Sequence, residues 1–376
     1  MDPDRPLPLL GGLSPQAFVR RHWQKRPLVV RGALAAGSAP LAVRELFALA
    51  ARDDVESRLV RRDGRAWRLR HGPFARRSLP RLAERGWTLL VQGVDLHVDA
   101  AHELLQRFRF VADARLDDVM VSYASDGGGV GPHEDSYDVF LLQARGRRRW
   151  RIGPLVDRAT RPGLPLRVLR RFEPRDEWLL EEGDMLYLPP HWAHDGVAKG
   201  PCMTCSIGFR APAASELARD VLARVLDAWQ PAPRGAPYRD QGAAATADPA
   251  RLPPALVGFA VDAVRRSLDD PRLIARALGE LTSEPKPQVV FEAGRAIARG
   301  AGVRLDRRTR MLYDRTHLYV NGEAFAIGGS DARVMRNMAR TRTLDPDQLE
   351  RLSLQARGRI DDWARSGWLH PRGETR

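Results

Sequence analysis

The sequence predicts an α+β protein whose strands gather in the middle of the chain and whose helices dominate its C-terminal part. Three observations carry that expectation. Short runs rich in β-branched and aromatic residues crowd into residues 115–212. Inside that stretch a glycine-rich turn, Gly127-Gly128-Gly129-Val130-Gly131, leads to a His-x-Asp pair, His133 and Asp135. Beyond residue 213 apolar positions recur at helical spacing instead. Strands and helices separated along the chain mark α+β rather than alternating βαβ units.

Taken in order, Ser14 caps a first helix, Pro15 occupies its first position, and Phe18, His22 and Trp23 fall on one face. Leu28-Val29-Val30 reads as a short strand, residues 40–47 and 79–83 as helical, and Trp87 to Gln92 as a buried strand. His97 and His102, just beyond, read as ordinary partly exposed histidines. Asp118 to Ala124 is a strand whose Met120, Ser122 and Ala124 share one face.

After the glycine turn, the run through Tyr137-Asp138-Val139-Phe140 reads as another strand. On a strand, residues i and i+2 project together about 7 Å apart. His133 and Asp135 would then share a face, with Glu134 on the other. An imidazole and a carboxylate so placed supply two thirds of a facial metal site. Further along, Gly183-Asp184 turns into the apolar Met185-Leu186-Tyr187-Leu188, and Pro189-Pro190 ends the pairing. His191 and His194 follow, and either completes a 2-His-1-carboxylate set of the kind non-haem Fe(II) oxygenases use.

In Gly146-Arg147-Arg148-Arg149-Trp150-Arg151-Ile152 the alternation places Arg148 with Trp150 and Ile152, facing inward. An inward guanidinium needs an anionic partner, because a buried unpaired charge is costly. Cys202 and Cys205, taken with His191 and His194, also resemble a zinc pattern. On a strand, however, i and i+3 face opposite sides, so two small, partly buried thiols are the simpler reading.

Six stretches together resemble the JmjC-type (cupin) 2-oxoglutarate oxygenases, and among them the bacterial ribosomal oxygenases. They are Trp23-Gln24-Lys25-Arg26-Pro27-Leu28, the Gly-Gly-Gly-Val-Gly-Pro-His-x-Asp at 127–135, Tyr-Asp-Val-Phe at 137–140, Gly-Arg-Arg-Arg-Trp-Arg at 146–151, Gly-Asp-Met-Leu-Tyr-Leu-Pro-Pro at 183–190, and Ser-Ile-Gly-Phe-Arg-Ala-Pro at 206–212. The resemblance implies a double-stranded β-helix, or jelly-roll, barrel in residues 1–212. It implies Fe(II) held by His133, Asp135 and His194, the histidine four residues after the proline pair. It implies 2-oxoglutarate anchored on Arg148, whose planar fork matches a carboxylate. Ser122 is a second candidate for that carboxylate, or else a serine satisfied by backbone or water. The implied substrate is a ribosomal protein side chain, foremost an arginine of large-subunit protein sixteen, with a ribosomal histidine as the alternative. Asp126 and Asp138 are candidate acids for a cationic substrate, or else a turn residue and a surface residue.

The C-terminal part begins with an amphipathic helix over 214–226, a Pro/Ala/Gly-rich connector near 230–252, and helices near 254–268 and 271–282. Residues 213–286 have too few apolar positions for their own core, and the resemblance implies that they dimerise. Residues 287–376 read as a helix over 289–300, a strand at 310–313, a hairpin around Asn321-Gly322, and helices near 330–340, 346–355 and 357–366. That is the pattern of a winged-helix-like domain, which docks protein or nucleic acid.

The formal net charge is +14, yet of 61 cationic residues only Lys25, Lys199 and Lys286 are lysine. The charge therefore reflects an arginine-biased composition as readily as an RNA partner. The chain shows neither a signal-peptide pattern nor an apolar run long enough to span a bilayer, and two cysteines make no disulfide framework. A cytoplasmic homodimer is the expectation. Two other classes compete: a metal-binding cupin without oxygenase chemistry, which needs no arginine facing the metal, and a DNA-binding regulator, which needs salt-dependent DNA binding by residues 289–376.

Overall fold

The computed structural model describes residues 2–64, 66–228, 237–298 and 300–372. The chain divides into two compact units, Met1–Ala211 with Pro287–Val290, and Pro212–Lys286 with Phe291–Arg376.

The first unit runs α1 (Pro15–Arg21), β1 (Leu28–Val30), α2 (Val43–Leu49), β2 (Ser57–Asp63), β3 (Ala66–His71), β4 (Trp87–Val91), α3 (Asp99–Gln106), β5 (Leu116–Ala124), β6 (Val139–Pro154), β7 (Asp176–Leu180), β8 (Met185–Leu188) and β9 (Trp192–Phe209). Ser14 caps α1 as expected, its side chain accepting from the Ala17 amide at 3.2 Å. The strands form one antiparallel sheet ordered β1-β8-β6-β9-β5-β4-β2-β3, with β7 also on β6. Long strands β6 and β9 pair along most of their length, while β6 pairs first with β8 and then with β7. Each therefore belongs to both faces of the curved sheet, which is how a jelly roll closes around an interior. The pairing of β6 with β9 shifts at Gln143/Arg145 and Arg145/Arg147, and Gly146 sits there at φ +66. A side chain at 146 would come within 2.4 Å of the Pro201 carbonyl, so the bulge requires glycine.

The core explains why the Trp23 motif belongs to this fold. Phe18 and Trp23 pack against Tyr187, and Trp23 also meets Phe209 edge-on at 5.0 Å. Helix α1 and the Trp23 just after it are thus packed onto β8 and onto β9, the strand that carries His194.

Some expectations are corrected. Residues 79–83 are not helical; a 3-10 turn over Arg76–Ser78 stops before Leu79-Pro80. Pro80 disfavours a helical Leu79. The segment around His133 and Asp135 is not a regular strand either: it holds one isolated bridge, His133 to His194. Hairpin β2–β3 has no counterpart among the elements expected from the sequence.

The second unit contains α4 (Ala214–Asp227), α5 (Pro254–Ser267), α6 (Pro271–Ser283), β10 (Val303–Leu305), β11 (Met311–Tyr313), β12 (His317–Val320), β13 (Glu323–Ala326), α7 (Gly329–Thr341), β14 (Thr343–Leu344), α8 (Pro346–Glu350), α9 (Leu354–Arg365) and β15 (Leu369–Pro371). The Asn321-Gly322 hairpin forms as expected, with φ +51 and +91 at its two turn residues. The helix expected over 289–300 does not form among the described residues. Gly294 instead donates its amide to Arg365 O at 2.9 Å, and a side chain there would strike Ala364 O at 2.2 Å. The chain lies too close to α9 for a helix.

Candidate metal centre

One backbone contact brings the predicted ligands together. The His133 amide donates to His194 O at 3.0 Å, and the His194 amide returns to His133 O at 2.8 Å. The glycine run permits this approach: a side chain at Gly129 would lie 2.5 Å from Gly196 O. The His191 amide donates to Asp135 O at 3.0 Å, fixing the next residue but one.

As a result, one ligand atom from each of His133, Asp135 and His194 lies within 4.8 Å of the others. Among the described residues no other His, Cys, Asp or Glu group gathers in this way. His194 Nε2 is 3.7 Å from Asp135 Oδ2, and the two rings are 4.2 Å apart. His133 Nδ1 stands 2.9 Å from Gly131 O, and His194 Nδ1 stands 3.0 Å from Trp192 O. A carbonyl only accepts, so each Nδ1 carries the proton and each Nε2 offers its lone pair to the shared space. Burial, then the neighbouring His133, pushes the His194 pKa down to about 4, which keeps its imidazole neutral and able to ligate.

Arg148 lies on β6, only 4% exposed, as the alternation required. Register sets its surroundings: Ser122 on β5 pairs with Thr204 on β9. The guanidinium donates to Ser122 Oγ and Thr204 Oγ1, both at 3.3 Å, and to Gly196 O at 3.2 Å. It also lies over the Trp150 ring at 4.9 Å. Arg148 has no carboxylate within ion-pair range among the described residues, and its Nε has no partner. Burial lowers its pKa accordingly. Gly196 keeps the cradle open, since a side chain there would meet Arg148 Nε at 2.8 Å.

The three predicted ligands, Arg148, Ser122 and Thr204 line one cavity of about 580 Å³. That volume is ordinary for a small-molecule site. Hairpin β2–β3 contributes Arg58, Val60 and Leu69, and the remaining acids in the lining are Asp117, Asp118 and Glu134. Sequence reasoning missed Thr204; its signal was the Ser122 register, which only the sheet supplies.

Other candidates lie elsewhere. Asp126 does not line the cavity; it accepts from the Gly200 amide at 2.8 Å and pairs with Arg85 at 2.7 Å. Asp138 is fully buried away from the cavity, accepting from the Tyr187 hydroxyl at 2.6 Å and Gln24 Nε2 at 3.1 Å. Burial raises its pKa against those hydrogen bonds. His191 pairs with Glu134 at 3.0 Å, outside the triad. Cys202 packs with Ala124 and Ala198, whereas Cys205 sits in the main core. The opposed packing removes the zinc alternative's geometry.

Residues 103–217 match the JmjC domain, and residues 266–370 match the ROXA-like winged helix. The ribosomal protein uL16 3-hydroxylase of Escherichia coli (strain K12) is 35% identical over 327 residues, covering 81% of this chain and 84% of that protein. The chain belongs to the ribosomal oxygenase family. It is accordingly an enzyme of the JmjC oxygenase class, whose cofactors are Fe(II) and 2-oxoglutarate. A probable ribosomal oxygenase of Haemophilus influenzae is 37% identical over 210 residues, or 54% of this chain and 52% of that one. The X-ray structure of E. coli YcfD superimposes with a TM-score of 0.85 at 30% identity, covering 94% of this chain and 97% of that chain. The structure of YcfD with cobalt and 2-oxoglutarate does so with a TM-score of 0.81 at 30% identity, covering 96% and 99%. The ribosomal oxygenase has a JmjC jelly roll, a helical segment and a winged-helix domain, as its sequence led us to expect.

Proposed function

We propose that the protein hydroxylates a ribosomal protein with Fe(II) and 2-oxoglutarate, and that the substrate is an arginine of uL16. The observation that carries the cofactor reading is the buried, carboxylate-free Arg148 in the same cavity as the His133–Asp135–His194 group. An enclosed guanidinium with no internal counter-charge fits an anionic ligand, and a dicarboxylate with one end on the metal fits both features. In this reading His133, Asp135 and His194 hold the iron, and Arg148, Ser122 and Thr204 hold the far carboxylate. Bound there, iron and cosubstrate supply oxidative decarboxylation coupled to hydroxylation of an unactivated C–H bond. The chain's own contribution is to fix both histidine tautomers, neutralise and orient the cosubstrate, and enclose the reacting space.

The lining places Asp117, Asp118, Glu134 and Asp135 beside Arg58, Arg148, Arg158 and Arg167, so its charge is mixed and the choice of arginine over histidine rests on the relative's name. The name of the E. coli relative points to the same ribosomal protein. We assign residues 213–286 to dimerisation and 287–376 to docking. Helix α5 buries none of its residues, and Leu222, Leu226, Val261 and Val264 are exposed, so these helices carry apolar faces that a second copy would cover. Among the described residues no helix is long and apolar enough to cross a membrane, and a ribosomal substrate places the enzyme in the cytoplasm.

The test is incubation of the purified enzyme with Fe(II), 2-oxoglutarate and uL16, followed by peptide mass spectrometry. One added oxygen on an arginine, with matching succinate, is the expected result. An added oxygen on histidine would move the protein to the histidyl hydroxylases. Turnover with metal but without 2-oxoglutarate would leave a cupin of another class.

A further inference from the structure

The His-x-Asp pattern leaves its middle residue open, and here that residue is Glu134. Its carboxylate lies outside the cluster of metal-binding atoms. Glu134 Oε2 is 3.0 Å from His191 Nδ1, Glu134 Oε1 is 3.7 Å from Arg158 Nε, and a terminal nitrogen of Arg158 is 3.0 Å from His191 Nδ1. His191 Nδ1 can donate to Glu134 or accept from Arg158, but not both. Either way the ring is bound to one charged partner while the two charges face each other.

The three residues come from three segments. Glu134 lies in the metal segment, His191 follows the proline pair, and Arg158 belongs to the strap at 155–171 that joins β6 towards β7. The strap doubles back through a bridge between Thr160 and Leu169, and the Leu169 amide ties it to Pro132 O at 2.8 Å. It contributes Arg158, Thr160, Pro165, Leu166, Arg167 and Leu169 to the cavity lining.

A second observation singles out His191. Its φ is +65, a left-handed conformation that glycine adopts without strain and histidine does not. A strained residue whose side chain closes a polar triangle at a cavity wall points to a role for that side chain. The side chains of Arg158 and His191 are 65% and 52% exposed, so the triangle is solvent-screened and weak enough to open.

We infer that Glu134, His191 and Arg158 are positioning residues: they latch the 155–171 strap to the metal segment and set the wall against which the substrate side chain packs. The role towards substrate rests on the hydroxylase reading above; the latch itself does not.

The full-length variants Arg158→Ala and His191→Gly test this by hydrogen exchange, direct titration and kinetics. Amides of 155–171 exchange about threefold to fivefold faster in both, and the KM for uL16 rises by a similar factor, the scale of a lost exposed ion pair. The dissociation constants of Mn(II) and 2-oxoglutarate stay within about twofold of the wild type, because the ligands and Arg148 are untouched. His191→Gly keeps or raises Tm, since glycine relieves the left-handed backbone. Unchanged strap exchange overturns the latch. Faster exchange with an unchanged KM for uL16 overturns the positioning role. A fall in Tm with loss of both ligands in His191→Gly assigns the residue to folding and overturns the inference. If the strap loosens as expected but the wild type modifies no ribosomal protein, the latch stands and the hydroxylase reading falls.

Discussion

Replacing Arg148 by methionine separates binding from stability in opposite directions. The guanidinium is 4% exposed and has three neutral hydrogen-bond partners but no carboxylate. In the ligand-free protein it is therefore a desolvated charge without a counter-charge. Exchanging such a charge for an apolar side chain of similar length is neutral or stabilises by up to about 2 kcal/mol. Thr204 keeps its bond to Gln143 Oε1 at 3.1 Å, so little is left unsatisfied. Binding moves the other way. Loss of a charged pair to the cosubstrate carboxylate costs on the order of 3 kcal/mol, about a hundredfold in affinity, with the Ser122 and Thr204 hydroxyls retaining part of the contact. Calorimetric titration of 2-oxoglutarate into the Mn(II)-loaded protein reads the first quantity, and thermal unfolding of the ligand-free protein reads the second. A loss below about fivefold, or an equal loss in Arg147→Ala, would refute the assignment of Arg148 as the anchor.

His133→Ala, Asp135→Ala and His194→Ala are each expected to abolish 2-oxoglutarate turnover, whereas His191→Ala retains most of it; the reverse pattern for the two distal histidines would reassign the third ligand. In the second unit Asp306 is buried, but hydrogen bonds from His370 at 2.8 Å and Arg308 at 2.8 Å outweigh that burial and hold its pKa well below the carboxylate range. A depressed carboxylate stabilises at neutral pH and loses that contribution as pH falls through its folded value. Asp306→Asn should thus cost about 1–3 kcal/mol at pH 7 and flatten the acid limb of the unfolding profile; an unchanged limb counts against the pairing. Light scattering at micromolar concentration is expected to give a dimer, and a chain ending near Ala213 is expected to be monomeric and to lose most activity on intact uL16. A full-length monomer would remove the dimer from the account.

The parts of the fold legible in the sequence are those governed by local periodicity. Alternation placed Arg148 inward between exposed Arg147 and half-buried Arg149, and the structure repeats that pattern. Turn chemistry placed the Asn321-Gly322 hairpin. Features governed by tertiary approach were not legible. His133 and Asp135 converge through a single bridge to β9 rather than through strand pleating. Thr204 joins the cradle only because β5 and β9 set its register against Ser122. Asp126 and Asp138 look equally available as charges in the sequence, but one caps a turn amide and the other satisfies Tyr187 and Gln24 inside the core. The cavity wall from β2–β3, made by Arg58, Val60 and Leu69, was not legible because only the sheet order sets this hairpin beside β4.

The most direct test is mass spectrometry of ribosomal proteins from cells with and without this enzyme. The account predicts one arginine of uL16 that carries an added oxygen when the wild-type enzyme is present, and is unmodified both in its absence and with the His194→Ala variant. Identical uL16 spectra in all three backgrounds, with every other ribosomal protein unchanged, would contradict it.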